Sequence, residues 1–320
     1  MDMKMVKVIS SAPGKLILFG EHASSRGKPA IVFAVNQRLE VKIFPCQKHR
    51  ILITSENFKV YKEEYPTAKL DIVTNILSTF FKKYNITERP IEIEISSTIK
   101  PGFGSSAALI IALFDALFTY FNCHPSKLEF LQICIEFNQS LKGYGSGLDI
   151  ASALYGGMLK FQQGRKPEPL PFEQLNFLVG STGIKAPSGP IIKAVRELEN
   201  KDPIAIGKIF SRIEEIVSLA EDAIYEGDQR ILGKLMNENH KLLQKLGVSS
   251  QILDEMVSAA RAAGAYGAKL SGAGKGDNML ALVPGEKIRD VIQALNTTKG
   301  FATPDVSIDS EGLRTEKIDE

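Results

Sequence analysis

Between Ile91 and Phe121 a strand, a glycine loop and a long apolar helix follow one another without a break, and no other stretch narrows the possible folds as much. Ile91-Glu92-Ile93-Glu94-Ile95 alternates with period two, the mark of a half-buried strand. Lys100-Pro101-Gly102-Phe103-Gly104-Ser105-Ser106-Ala107-Ala108 comes next, and Ser105 to Phe121 then runs on rich in Ala and Leu, as a helix. Glycines let a backbone approach a ligand closely and adopt positive φ. A helix start leaves N–H groups unpaired and partly positive. Together they suit an anion such as a phosphate. The expectation is that the serines cap the helix, and that one hydroxyl can also reach a Mg²⁺ bridging phosphates. The loop is not a Walker A loop, since no Gly-Lys-Ser/Thr is present.

Three further constellations carry chemistry. Lys269-Leu270-Ser271-Gly272-Ala273-Gly274-Lys275-Gly276-Asp277 places three glycines in five residues between two short strands, a tight exposed backbone able to form a nest for a phosphate. Gly143-Tyr144-Gly145-Ser146-Gly147-Leu148-Asp149 sets Asp149 just after a glycine turn, at a helix start. There a carboxylate either favours the helix dipole or serves a substrate hydroxyl as general base. Ser11 to Ala23 holds Lys15 between Pro13-Gly14 and an apolar run, so the lysine is expected to be partly buried and to need a partner. Glu21 and His22 follow Gly20.

Around these, Val6 to Ser10 and Leu16 to Phe19 read as two short apolar runs, and Ile31 to Phe44 as a long half-buried strand. Ser126 and Glu129 form a capping box at a helix start. Helices are expected at Ile150–Tyr155, Pro190–Glu199, Ile204–Glu226, Gln229–Leu246, Gln251–Ala263 and Glu286–Leu295. Ala268–Ser271 and Met279–Val283 are expected as strands, with a weak strand in the tail from Val306. The shift to Gln, Gly, Arg, Lys and Pro around Gly164 to Pro171 suggests a boundary, hence domains 1–165 and 166–320. Strands mixed with helix pairs in both halves imply an α+β fold.

Composition excludes several classes. Lys+Arg (39) nearly balances Asp+Glu (37), and a net charge of +2 argues against a dedicated nucleic-acid binder. Cys46, Cys123 and Cys134 show no C-x-x-C spacing, so neither a disulfide framework nor a zinc site is expected. Met1 to Lys7 lacks the apolar core of a signal peptide. The longest apolar run, Ala107 to Cys123, is interrupted by Asp115 and is too short to span a membrane. The expectation is a soluble, cytoplasmic protein.

The order Pro-Gly-Lys…Gly-Glu-His, Gly-x-Gly-Ser-Ser-Ala-Ala, Ser-Gly-x-Asp and Lys-Leu-Ser-Gly-Ala-Gly resembles the GHMP kinases, a family that includes galactokinases, homoserine kinases, mevalonate kinases and phosphomevalonate kinases. The resemblance spans Ser11 to about Val283. It implies an N-terminal domain like ribosomal protein S5 and a ferredoxin-like C-terminal domain, with ATP in the cleft between them. By motif match, Lys100, Pro101, Gly102, Phe103, Gly104, Ser105, Ser106, Ala107 and Ala108 would bind the ATP phosphates, with Ser106 on Mg²⁺. Asp149 and Lys15 would be catalytic, and Gly272 to Gly274 would close on the reaction centre. The implied partner is a small molecule, with no nucleic acid and no membrane, and the fold allows a homodimer.

Within the family, Phe19-Gly20-Glu21-His22-Ala23, Gly247-Val248-Ser249 and Gly264 to Leu270 resemble the mevalonate kinases most. Acceptor binding is therefore expected at Glu21, His22, Ser188, Gly272 and Ala273. Asn138 stands where a metal-binding Glu is usual there, and Gly-Lys-Gly-Asp where four glycines are usual. Gly-Ser-Gly-x-Asp, Lys100 and Asp277 look more like the phosphomevalonate kinases, which makes a phosphorylated acceptor the alternative. A diphosphate decarboxylase of the same superfamily is a more distant one.

Overall fold

The computed structural model describes residues 6–48, 50–55 and 59–319. Among them the chain forms, in order, β1 (Val6–Phe19), β2 (Ala30–Pro45), β3 (Leu52–Ser55), β4 (Val60–Glu64), α1 (Asp71–Lys83), β5 (Ile91–Ser97), α2 (Ser105–Tyr120), α3 (Lys127–Lys142) and α4 (Leu148–Tyr155). It continues through β6 (Met158–Phe161), β7 (Glu168–Leu170), β8 (Phe177–Ser181), α5 (Ser188–Lys201), α6 (Pro203–Glu226), α7 (Gln229–Lys245) and α8 (Gln251–Ala262). β9 (Gly267–Ser271), β10 (Asn278–Leu282), α9 (Ile288–Asn296), β11 (Phe301–Thr303) and β12 (Arg314–Asp319) complete it. The α+β class is as expected. No helix is long and apolar enough to cross a membrane among the described residues.

The chain folds into two compact units, and they do not follow a single cut at 165/166. Among the described residues, the first contains 6–14, 37–156 and 311–319; the second contains 15–36 and 157–310. The reason is pairing at the chain ends. β12 runs antiparallel to the start of β1, Val8 opposite Lys317, which returns the C-terminus to the first unit. The composition shift near Gly164 instead falls between β6 and β7, which pair with each other.

In the first unit the strands lie in the order β12-β1-β2-β5-β3-β4. The alternation read in the sequence appears as alternating burial in β5 and in the second half of β2, whose Val41 pairs with Ile95. α2 is apolar on almost every face and is buried accordingly. Its one charged residue, Asp115, accepts hydrogen bonds from Ser10 Oγ (2.5 Å) and Thr315 Oγ1 (2.7 Å), and burial pushes its carboxyl up. Phe80, Phe81, Phe118, Phe121 and Phe130 interlock α1, α2 and α3 through edge-on and tilted ring contacts. α1 carries Val73, Ile76, Leu77, Phe80 and Phe81 on its buried face and was not expected. The Ser126–Glu129 capping box forms as read.

The second unit holds an antiparallel sheet in the order β11-β8-β10-β9. α7 and α8 pack on β9, and α9 packs on β8 and β11. Every residue of β9 and β10 is buried, including Lys269, Ser271 and Asn278. β6 pairs with Ala30–Phe33 of β2.

The local helix and strand readings fall within a few residues of the observed elements, with three differences of consequence. Val6–Ser10 and Leu16–Phe19 are one strand, Val6–Phe19, with Pro13-Gly14 inside it. The helix expected from Pro190 starts at Ser188. The tail strand lies at Arg314–Asp319, later than Val306.

Candidate active site

In the first unit, β5 ends at Ser97 and the chain turns through Gly102 (φ +84°) and Gly104 (φ +82°) into α2. The loop is anchored by Phe103, which is buried, and by the Lys100 N–H, which donates to Gln37 Oε1 at 2.9 Å. The serines do not cap the helix. Gly104 is the N-cap, in the left-handed region that favours glycine, and no side chain caps the first turn. The Ala107 N–H donates to the Gly104 carbonyl at 3.0 Å, and no side chain takes the N–H groups ahead of it among the described residues, the kind of helix start at which an anion binds. Ser105 is half-buried and Ser106 exposed, while Ala107 and Ala108 are buried and fix the helix in the core. The Lys100 and Pro101 side chains are exposed.

Asp149 stands in the first turn of α4, which packs on α2 and α3 in the same unit. Gly147 (φ +90°) caps that helix, and Ser146 Oγ accepts from the Leu148 N–H at 3.3 Å. Leu148 and Ile150 are buried and Asp149 between them is half-buried, so the packing of its neighbours sets where the carboxylate stands. On α3, Asn138 is 5% exposed, and its Oδ1 has no hydrogen-bond partner among the described residues. No group of three or more His, Cys, Asp or Glu able to hold a metal occurs among the described residues.

In the second unit Lys15 lies in β1, buried as expected at 7% exposure. Three clips join the end of β1 and its following loop to β9 and the loop after it. Ser271 Oγ accepts from the Ile17 N–H and donates to the Ile17 carbonyl, both at 2.9 Å. Glu21 Oε1 makes an ion pair with Lys269 Nζ, with both side chains fully buried. His22 Nε2 lies 3.0 Å from the Ala273 carbonyl. Because a carbonyl only accepts, Nε2 carries the imidazole proton and Nδ1 is left as an acceptor.

Glu21 therefore departs from the expected substrate-facing role. Its carboxylate is sealed in the core, held by a lysine, and its Oε2 has no hydrogen-bond partner among the described residues. Burial pushes its pKa up and that of Lys269 down, each opposed by the partner's charge. Lys15 adds a smaller attraction on Glu21. Lys269, the partner of Glu21, is not singled out by the sequence reading; its signal is a lysine inside a short, mostly apolar strand. His22 and Ala273 do come together. Gly272 (φ +97°) and Gly274 (φ +92°) turn the β9–β10 loop, and a side chain at Gly274 would strike the Val248 carbonyl at 2.0 Å. Ser188 is exposed at the first position of α5, two residues beyond Ala186, whose N–H donates to Asp277 Oδ1 at 3.3 Å.

Burial lowers the pKa of His22 to about 4, and does the same to His240, whose Nδ1 accepts from the Leu270 N–H. Both are neutral in the folded chain and titrate near 6.5 when unfolded. Between those values the unfolded state binds more protons, so stability falls as pH drops from about 6.5 to about 4. Up to about 3 kcal/mol is expected from each histidine. Denaturant midpoints measured across that range should decline, and His22→Gln should flatten part of the slope; an unchanged slope would mean that His22 is not held neutral.

Residues 71–157 match the family model described as GHMP kinases N terminal domain, and residues 220–300 the one described as GHMP kinases C terminal. The chain is similar to the mevalonate kinase of Pyrococcus furiosus, at 34% identity over 98% of this chain and 99% of that protein. Among solved structures it is similar to the L. major mevalonate kinase in complex with R-mevalonate, with a TM-score of 0.75 and 25% identity over 97% of this chain and 95% of that one. The Lactococcus lactis galactokinase complexed with galactose shares the fold, with a TM-score of 0.81 at 18% identity over 98% of this chain and 95% of that one. The chain belongs to the GHMP kinase family, alongside the mevalonate kinases, and is an ATP-dependent small-molecule kinase.

Proposed function

We propose that this kinase phosphorylates the hydroxyl of mevalonate. The observation that carries the acceptor is the near-full-length similarity to mevalonate kinases, 34% identity over 98% of the chain. In this reading the uncapped first turn of α2 and the Lys100–Ala108 loop bind the ATP phosphates. Asp149 takes the hydroxyl proton late in the transfer, and the Lys15 ammonium stabilises the developing charge. His22, with Nδ1 free to accept, and the Gly272–Ala273 backbone orient the acceptor; Ser188 contributes from the start of α5. Glu21 acts from behind this layer, through its pair with Lys269. Bound Mg²⁺ would neutralise phosphate charge, with the Ser106 hydroxyl as a protein ligand and the Asn138 amide oxygen as a neutral one.

A coupled ADP-release assay comparing mevalonate, phosphomevalonate, homoserine and galactose tests the acceptor. Mevalonate is expected to show the highest kcat/KM without release of carbon dioxide; preference for phosphomevalonate would reassign the acceptor. Ser106→Ala is expected to raise the Mg²⁺ concentration for half-maximal rate several-fold, since one hard oxygen ligand is lost. An unmoved Mg²⁺ curve would place the metal ligand elsewhere.

A further inference from the structure

His22 sits in the left-handed region, at φ +63°. A residue with a side chain persists there only where its surroundings over-determine it. The chain tightens just after it into a single 3₁₀ turn, Ser24–Arg26. The Ala23 N–H donates to the Glu21 carbonyl at 2.7 Å, and the Ser24 N–H to the Gly20 carbonyl at 3.0 Å. That turn folds two side chains back onto the His22 carbonyl. Ser25 Oγ donates to it at 2.8 Å, and so does Arg26 Nη1 at 2.8 Å. Arg26 Nη1 also donates to Ser25 Oγ at 3.1 Å, which closes a triangle around one peptide oxygen.

Arg26 is itself held firmly. Its Nε and Nη2 donate to Glu199 Oε2 at 2.8 and 2.7 Å, and its guanidinium carbon lies 4.2 Å from the centre of the Phe210 ring. Glu199 belongs to α5 and Phe210 to α6. A planar guanidinium can serve a carboxylate, an aromatic face and a carbonyl at once in one fixed geometry, which a lysine ammonium cannot. At its other end, His22 donates from Nε2 to the Ala273 carbonyl. The residue is thus clamped twice, its ring by the β9–β10 loop and its peptide by Arg26. Through Glu199 the same clamp reaches α5, whose first residue is Ser188.

We propose that Arg26 is a positioning residue for the phosphoryl acceptor: by gripping the His22 carbonyl it keeps the imidazole on Ala273, with Nδ1 turned to the acceptor, and it ties that orientation to α5. Without Arg26 the His22 peptide relaxes out of the left-handed region and the ring loses its register on Ala273. The role in acceptor binding rests on the mevalonate reading above; the clamp itself does not.

The test compares wild type, Arg26→Gln and Glu199→Gln, each with His22 intact or changed to Gln. Arg26→Gln removes the guanidinium. Glu199→Gln leaves it in place but loosens it, and decides on the same readouts if the first variant fails to fold. Arg26→Gln should raise the KM for mevalonate about tenfold, and Glu199→Gln a few-fold, with the KM for ATP within about twofold of wild type. In the His22→Gln background neither should raise it further, because the residue they position is gone. Labelling histidine with ¹⁵N gives a readout that needs no acceptor. The His22 signal, identified by its absence in His22→Gln, should show a fixed Nε2–H tautomer in wild type and an averaged one in Arg26→Gln. Equal rises in both KM values, or a rise undiminished in the His22→Gln background, would make Arg26 a structural support and overturn the inference. An unmoved mevalonate KM, or a His22 signal unchanged in Arg26→Gln, would overturn it too. A wild-type chain that does not phosphorylate mevalonate would overturn the functional reading instead, and the histidine spectrum would still decide the clamp.

Discussion

Asp149→Asn is expected to reduce kcat by about 10²–10⁴-fold while ATP binding, followed by titration with a non-hydrolysable analogue, stays within a few-fold of wild type. Each tenfold corresponds to about 1.4 kcal/mol, so the chemical loss is about 3–5 kcal/mol. The structural alternative is much smaller. Asp149 occupies the first turn of α4, where an acid stabilises the helix by about 0.3–1 kcal/mol through the dipole. The two readings separate cleanly: a base leaves the melting temperature nearly unmoved and collapses turnover, whereas a dipole partner shifts melting slightly and spares kcat. Lys15→Met should likewise depress kcat, because a methionine of similar length fills the site in β1 but cannot meet the charge that develops on the transferring group. A wild-type rate in Asp149→Asn would remove the carboxylate from the proton-transfer role.

How far this site could be read in advance depended on how local its causes are. The loop before α2 and the turns at Gly147 and Gly272 were visible because glycine at positive φ and a helix start are properties of a few neighbouring residues. The long strand β2 and the Ser126 capping box were visible for the same reason. The serine caps were misassigned because the left-handed conformation of Gly104 takes the N-cap position ahead of Ser105. α1 had its signal in the spacing of Val73, Ile76, Leu77 and Phe80, but Thr74, Asn75, Ser78 and Thr79 between them blurred it. β1 ran through Pro13-Gly14 because pairing with a strand some 300 residues away in sequence and the packing around it outweigh two unfavourable residues. The same non-locality hid the domain division, which depends on where the chain ends return. It also hid the partner of Glu21, which lies 248 residues away.

That distant pair has the largest expected effect on stability. Glu21→Gln or Lys269→Met should each cost roughly 3–5 kcal/mol, because either change strands a charge among fully buried surroundings. The double variant should recover most of that loss. A neutral amide beside a methionine carries no buried charge, and replacing a buried pair as a whole is often neutral or better. Glu21 Oε2 has no hydrogen-bond partner among the described residues, so the native pair is itself incompletely compensated and the double variant gives up little. Denaturant unfolding of the four proteins measures the coupling; additive losses in the double variant would show that the two charges are not desolvated together. Turnover should not follow stability. Removing Glu21 also takes a negative charge from the surroundings of Lys15 and loosens the strand ends that hold His22 against Ala273. The double variant is therefore expected to melt near the wild-type temperature and still show a lowered kcat, with a larger share of the defect in kcat than in the KM for ATP. Full recovery of both quantities would confine the pair to a purely structural role.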